Sequence, residues 1–305
     1  MPFSNITIVS VDGRFGELFG AQCALFHSLQ ELPGAKAILL SPERPRYLLE
    51  GIKHISINPL GYLEYGLFII YALHRFILTD FALIVQADGW VLNGSQWHED
   101  YYNYDYIGSP THFARVTIGQ NISYLDDYKW INMIADLSCK VDVVLNGGFS
   151  LRSRRLLEAP TRLNLPCILP PVTRINGPPY RMFWESASQC EDVQLCVNMR
   201  TELEKYGIKF APLEVAKYFA FEHLDIKFHH GLDLTKCFGH HSQLRQIKSA
   251  MPLIVEYQFA EKELPLIIGE DLVGNLLQHL GYVLKFNYFD AMPSITNKSG
   301  FQLVK

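Results

Sequence analysis

The chain has 305 residues, 49% of them hydrophobic, and a net charge of −4 with Lys and Arg scattered along it. That length and composition can bury a large core, and the lack of a basic stripe argues against nucleic acid as a partner. The six cysteines, at positions 23, 139, 167, 190, 196 and 237, include no C-x-x-C pair, which suits reduced thiols in a cytosolic protein better than a disulfide frame.

The first ninety residues alternate between strand-like and helix-like patterns. Ile6–Val11 reads as a strand that begins without a preceding basic region, so no signal peptide is expected. Gly16–Leu32 follows as a helix, Lys36–Leu40 as a strand, Arg46–Gly51 as a short helix and His54–Ile57 as a strand. Tyr62–Leu78 reads as a long helix and Leu83–Gln86 as a fourth strand. The stretch from Gly66 to Val85 is the most membrane-like, yet it carries His74, Arg75 and Asp80 near its middle. Charges there are costly in a bilayer, so a buried helix and strand are expected instead. Strand–helix alternation with short turns predicts an α/β fold with a mostly parallel central sheet.

After Asp88 the pattern changes. Tyr104 to Gly108 reads as a short strand, residues 111–140 show no clean period, and Val141–Leu145 reads as a strand entering an Asn-Gly-Gly turn at 146–148. Ser153–Glu158 reads as a helix. Residues 160–179 hold six prolines and are expected to form an irregular loop over a site. A helix is expected from Glu191 to Tyr206 with Gly207 as its C′ residue, then a strand over Ile208–Ala211. Leu264 to Leu280 has the spacing of an amphipathic helix, and the last fifteen residues are expected to be poorly ordered.

Several residues could do chemistry. Asp88 ends the fourth strand just before Gly89, and ligands of open α/β sheets collect at carboxyl ends of strands. Strands also end in Asp-Gly simply to turn. Ser188 and Glu191 have the spacing of a capping box, and read from the residues alone capping comes first for Glu191. Asp192 is not needed for that cap. In the first helical turn its ionised carboxylate suits a proton acceptor. Gly147 and Gly148, before Phe149, form either a tight turn or a place where backbone meets a bulky polar ligand. In His229-His230 and His240-His241, at most one side chain of each pair faces a site if the backbone is extended. Asp12-Gly13-Arg14 follows the first strand as a nucleotide-facing loop. The G-x-G-x-x-G, P-loop and G-x-S-x-G patterns are all missing.

In order, the segments QADG (86–89), DYIGSP (105–110), NGGFSLRS (146–153), EDV (191–193), P-LEVAKYFAFE (212–222) and FGHH (238–241) resemble a largely uncharacterised bacterial and fungal family of GT-A-type glycosyltransferases. The resemblance spans roughly residues 5 to 241, and NGGFSLRS with the Glu-Asp pair is also similar to the β-1,4-galactosyltransferase arrangement. It implies a single large GT-A-like domain over 1–241. A Rossmann-like nucleotide-binding half (1–90) would be fused to an acceptor and catalytic half (91–241), with a C-terminal helical extension over 242–305.

The implied donor is a nucleotide-diphosphate sugar and the implied acceptor a hydroxyl of a glycan or lipid-linked glycan. A divalent metal, Mn²⁺ or Mg²⁺, is the implied cofactor. Asp88 matches the last Asp of the D-x-D metal motif, His241 the late metal-binding histidine with His240 as alternative, and Asp192 the catalytic base with Glu191 beside it. Val11, Asp12 and Arg14 match the base and ribose region, and Gly147, Gly148 and Phe149 the approach of acceptor and donor sugar. Gln86 stands where the first D-x-D carboxylate is expected, which puts metal dependence in doubt. Inversion at the anomeric carbon, a cytoplasmic location open to peripheral contact with the inner membrane, and a role in polysaccharide synthesis complete the expectation. The alternatives are a non-catalytic nucleotide-sugar or glycan-binding module of the same fold and, further off, a metal-dependent hydrolase.

Overall fold

The computed structural model describes residues 2–16, 18–184, 187–241, 247–251 (backbone alone) and 253–286. Its centre is strand β1 (Ile6–Val11), whose six residues are all buried. Alternation sends Ile6 and Ile8 to one face of the sheet and Val9 and Val11 to the other, each into its own apolar cluster. Helix α1 (Phe19–Glu31) covers the first face, and β2 (Lys36–Ser41) and β3 (Ile52–Ser56) extend the sheet in parallel register. Helix α2 (Tyr62–Tyr71) covers the second face through Ile69. Strand β4 (Phe81–Ile84) pairs with β1, also parallel.

The expected helix over Arg46–Gly51 is absent; that segment is turns and bends, with Gly51 at φ +81°. The long helix expected to Leu78 ends at Tyr71 and passes through a 3₁₀ turn at Leu73–Arg75, where a buried Leu73 pins the chain to the core.

The strand expected over Tyr104–Gly108 continues into the segment without a clean period and forms a hairpin, β5 (Tyr106–Ile118) and β6 (Asn121–Leu125). A short helix α3 (Ile131–Ile134) leads into β7 (Cys139–Ser153), which lies antiparallel between β4 and β5. The strand order is β3-β2-β1-β4-β7-β5-β6. This is an α/β domain on a mixed, mostly parallel seven-stranded sheet. The Asn-Gly-Gly segment does not turn back on itself as expected. It stays within β7, where Asn146 Oδ1 accepts the N–H groups of Gly148 (2.7 Å) and Phe149 (3.1 Å). The pairing with β5 shifts register on either side of Pro110.

Helix α4 (Arg154–Arg162) is capped by Ser153 Oγ, which accepts from Leu156 N at 3.0 Å. The proline-rich segment is not wholly irregular: β8 (Arg174–Asn176) and β9 (Arg181–Phe183) pair as a short ribbon. The expected helix at Glu191 runs as α5 (Glu191–Val193), a π-helical turn at Gln194–Asn198 and α6 (Arg200–Lys205). Gly207 ends it at φ +87°, as a C′ glycine should. Ile208–Ala211 makes only an isolated bridge, Phe210 to Tyr106, at the start of β5, where Tyr106 N donates to Lys209 O and Ala211 N to Tyr106 O.

Helix α7 (Leu213–Phe219) precedes β10 (Ala220–Phe221), which pairs in parallel with β11 (Gly239–His240). The C-terminal segment is more than a helix. Strands β12 (Ile247–Met251), β13 (Ile254–Tyr257) and β14 (Val283–Phe286) form a three-stranded sheet around α8 (Glu270–His279). Val255, Tyr257, Val273, Leu276 and Leu277 join the main core, and Trp90 Nε1 donates to Tyr282 O–H at 2.9 Å. This segment therefore packs on the same domain. The last fifteen residues lie outside the described ones.

Candidate functional site

The carboxyl ends of β1 and β4 open onto a cleft of about 470 Å³ lined by Val11, Asp12, Arg14, Tyr62, Tyr65, Gln86 and Asp88, among others. Asp12 is mostly covered and holds Arg14 as a two-pronged pair, with Nε to Oδ1 at 2.9 Å and Nη2 to Oδ2 at 2.7 Å. The Arg14 side chain is otherwise exposed.

After β4 the chain turns sharply. Gln86 and Gly89 exchange two backbone hydrogen bonds of 3.0 Å, which throws Asp88 outward. Gly89 is required there, because a Cβ would come within 2.9 Å of both His240 O and His241 Cδ2. The strand containing His240 crosses at this point. His241 Nε2 lies 3.6 Å from Asp88 Oδ1 and 3.2 Å from Gln86 Oε1. Gln86 is itself oriented by donating from Nε2 to Tyr65 O–H at 2.8 Å. The side of β7 facing these groups is Gly148, where a Cβ would collide with His241 Nε2 and stand 2.8 Å from Gln86 Oε1.

His240 points the other way. It is buried edge-on to Trp90, ring centres 4.1 Å apart, and lies beside Phe221. Adjacent residues on an extended segment face opposite sides, so only His241 meets Asp88. Phe149 is likewise fully buried, packed with Phe219 and Phe238, and does not face the cleft. Phe149 anchors the two glycines before it, of which Gly147 touches Glu191 and Gly148 touches His241 and Gln86.

Glu222 was not singled out by the sequence. It is buried, and its Oε1 lies 3.5 Å from His241 Nδ1. Burial raises its pKa, but the hydrogen bond with His241 and the charges of His223 and His241 hold it below the usual carboxylate range. Burial lowers the His241 pKa, while Asp88 and Glu222 outweigh it and leave the imidazole raised. A buried carboxylate after a run of apolar residues, as in Phe219-Ala220-Phe221-Glu222, was the one available signal, since such a group needs a partner.

Glu191 is not a helix cap. The N-cap position belongs to Cys190, and Glu191 Oε1 takes Arg152 Nη2 at 2.8 Å with both side chains buried. Arg152 lies over the Tyr106 ring at 4.7 Å and donates to Tyr106 O–H at 3.1 Å. Gly147 touches this pair: a Cβ there would overlap Glu191 Oε1. Asp192 is half-buried and has no ion pair among the described residues. Burial and the neighbouring Glu191 charge carry its pKa from 3.8 up to about 7, against the pull of the Val193 N–H. Consecutive glycines of β7 thus separate the Arg152–Glu191 pair from His241.

Among the described residues, no group of three or more His, Cys, Asp and Glu side chains is placed to hold a metal ion by itself. The cleft's own donors near Asp88 are one carboxylate, one imidazole and one amide oxygen. No helix among the described residues is long and apolar enough to cross a membrane.

The architecture is that of an α/β protein with a cleft at the carboxyl rim of its parallel strands, the place where ligands of open α/β sheets collect. Residues 70–241, more than half of the chain, match the model of a family described as "Protein of unknown function (DUF5672)", and the chain belongs to that family. No curated protein matches it. Among solved structures it is similar to the galactosyltransferase LgtC, determined in complex with donor and acceptor sugar analogues. The identity is 13% and the TM-score 0.39, with 91% of this chain and 96% of that chain covered.

Proposed function

We propose that this protein is a glycosyltransferase of the GT-A type, moving a sugar from a nucleotide-diphosphate donor to a hydroxyl of a glycan or lipid-linked glycan. The observation that carries this reading is the grouping of Asp88, Gln86 and His241 beside the β1–β4 cleft, with His241 against Gly148 and Glu191, the residue before Asp192, against the adjoining Gly147. In it, the cleft over Val11, Asp12 and Arg14 takes the nucleoside. Arg14 can exchange Asp12 for a phosphate oxygen, since a guanidinium matches both groups.

A divalent cation fits the donor set. Carboxylate, amide and imidazole suit Mn²⁺ better than Mg²⁺, provided the donor's phosphates supply further oxygens, and the Glu222 carboxylate behind His241 is the usual way an imidazole ligand is oriented. Asp88 and His241 would hold it with help from Gln86, and it would neutralise charge on the leaving phosphate. Asp192 serves as general base: a carboxylate with a pKa near neutrality can take the acceptor's proton at working pH. Glu191, tied to Arg152, keeps that first helical turn in place and offers Oε2, which has no hydrogen-bond partner among the described residues. One base and a single displacement imply inversion of the anomeric configuration.

A second reading, a nucleotide-sugar-binding module without turnover, is favoured by Gln86 alone, which supplies one charge fewer than a carboxylate. A screen of nucleotide sugars by thermal shift, with and without Mn²⁺, identifies a donor through its stabilisation of the folded state. Transfer from that donor to a glycan acceptor is then followed by nucleoside diphosphate release. Stabilisation without any release or transfer would select the binding module. No stabilisation by any nucleotide sugar would remove both readings.

A further inference from the structure

Between positions 159 and 184 the chain carries three arginines, Arg162, Arg174 and Arg181, and not one Asp or Glu, in a protein whose net charge is −4. All residues from Ile168 to Met182 are exposed. They include Ile175 at 62%, Tyr180 at 82% and Met182 at 54% of their full accessibility. Single exposed apolar residues are ordinary; a contiguous group on a projecting element marks an interaction surface.

The β8–β9 register sorts these side chains. Ile175 pairs directly with Met182, while Arg174 pairs with Phe183 and Asn176 with Arg181. Directly paired residues share a face and the next pair faces the opposite way, so the ribbon has one apolar face and one basic face. Both guanidinium groups lie over the Phe183 ring, at 4.8 and 5.4 Å. A ribbon with Ile175 and Met182 on one side and, on the other, two arginines stacked on Phe183 beside Asn176 has the mixed apolar and cationic character of an anionic bilayer's boundary. There apolar side chains enter the acyl region and arginines meet phosphate headgroups.

We propose that the β8–β9 ribbon docks this protein on an anionic lipid surface. Its base is fastened close to the candidate site. Buried Gln194, two residues after Asp192, receives Ile168 N–H at Oε1 (3.1 Å) and donates from Nε2 to Ile168 O (2.8 Å). Docking through the ribbon therefore keeps the Glu191–Asp192 turn close to the membrane. Under the sugar-transfer reading, on which this last step rests, the acceptor is then the lipid-linked form of the glycan.

The test is co-sedimentation of the full chain with vesicles of phosphatidylcholine alone and of phosphatidylcholine with phosphatidylglycerol. Binding to the anionic vesicles is expected to exceed binding to the neutral ones and to weaken with salt. Replacing both arginines (R174Q with R181Q) is expected to cost about thirtyfold in affinity. A second variant, Y180S with M182S, is expected to lose binding while keeping the melting temperature and any turnover on a soluble acceptor. Equal partition to both vesicle types, no partition to either, or wild-type binding by both variants would overturn the proposal. Vesicle binding with no sugar transfer would leave the surface standing and remove the enzymatic reading instead.

Discussion

Arg152 Nη2 closes on Glu191 Oε1 at 2.8 Å in the interior, and the next residue, Asp192, has no ion pair among the described residues. Two adjacent carboxylates thereby acquire different characters. Glu191 is neutralised by a cation held over the Tyr106 ring, while Asp192 bears both burial and the charge of its neighbour. Environments that separate the behaviour of paired acids mark sites of proton transfer.

Asp192→Asn is expected to abolish transfer while leaving donor affinity within about twofold, since a base acts on the acceptor's proton and not on the nucleotide. In the wild type, transfer should rise with pH as Asp192 ionises, with a midpoint near its pKa of about 7. A pH–rate profile flat from about pH 5 to 9 would contradict the assignment.

The same group predicts a stability effect. The folded-state pKa is raised from 3.8 to about 7, so the folded protein binds a proton that the unfolded chain releases in that window. Stability from this group is fully present below the lower value and declines as pH rises through the upper one. Asp192→Asn cannot ionise and should melt above the wild type at alkaline pH, with the gap narrowing as pH falls toward 4. Thermal denaturation across that range measures it.

Arg152→Met strands Glu191 as an uncompensated buried charge and should cost about 3–5 kcal/mol of stability. Arg152→Met combined with Glu191→Leu should recover much of that loss, because removing both partners leaves no buried charge. Urea denaturation of the single and double variants separates the two; equal losses would mean that the charge pair is not the cause.

Glu222→Gln keeps the shape of the side chain but removes the carboxylate behind His241 Nδ1. Mn²⁺ affinity, measured by calorimetry in the presence of the nucleoside diphosphate, should fall about 10- to 100-fold. Gly148→Ala should weaken it too, since the added methyl meets His241 Nε2. Affinity for the nucleoside diphosphate without metal should be kept by both variants.

Much of the first half was legible along the chain. Ile6–Val11 announces a buried strand because six residues in a row suit a strand covered on both faces, and Gly207 announces a helix end because few other residues tolerate its φ. Asp88, Gly89, Gly147 and Gly148 stood out for the same reason: their local chemistry is unusual wherever they end up. The Asn146-Gly147-Gly148 segment does not turn back, although local propensity favours turning, because the residues on both sides of it are paired, Leu145 with Pro110 and Ser150 with Gly108 and Ile84, so it bulges within β7. Residues 111–125 gave no period because β5 passes from a stretch buried on both faces to alternating buried and half-buried positions, and β6 has no buried residue.

By itself the sequence determined the α/β alternation, the rim position of Asp88 and the presence of two adjacent carboxylates, because each is a property of neighbouring residues. Only the tertiary structure decided that His241 and not His240 meets Asp88, that Glu222 stands behind it, that Glu191 belongs to Arg152, and that Phe149 is core. Those outcomes depend on which strands cross. Glu222 and His241 are nineteen positions apart and Arg152 and Glu191 thirty-nine. A partner at that distance is chosen by packing and by the cost of leaving a buried charge alone, not by spacing along the backbone.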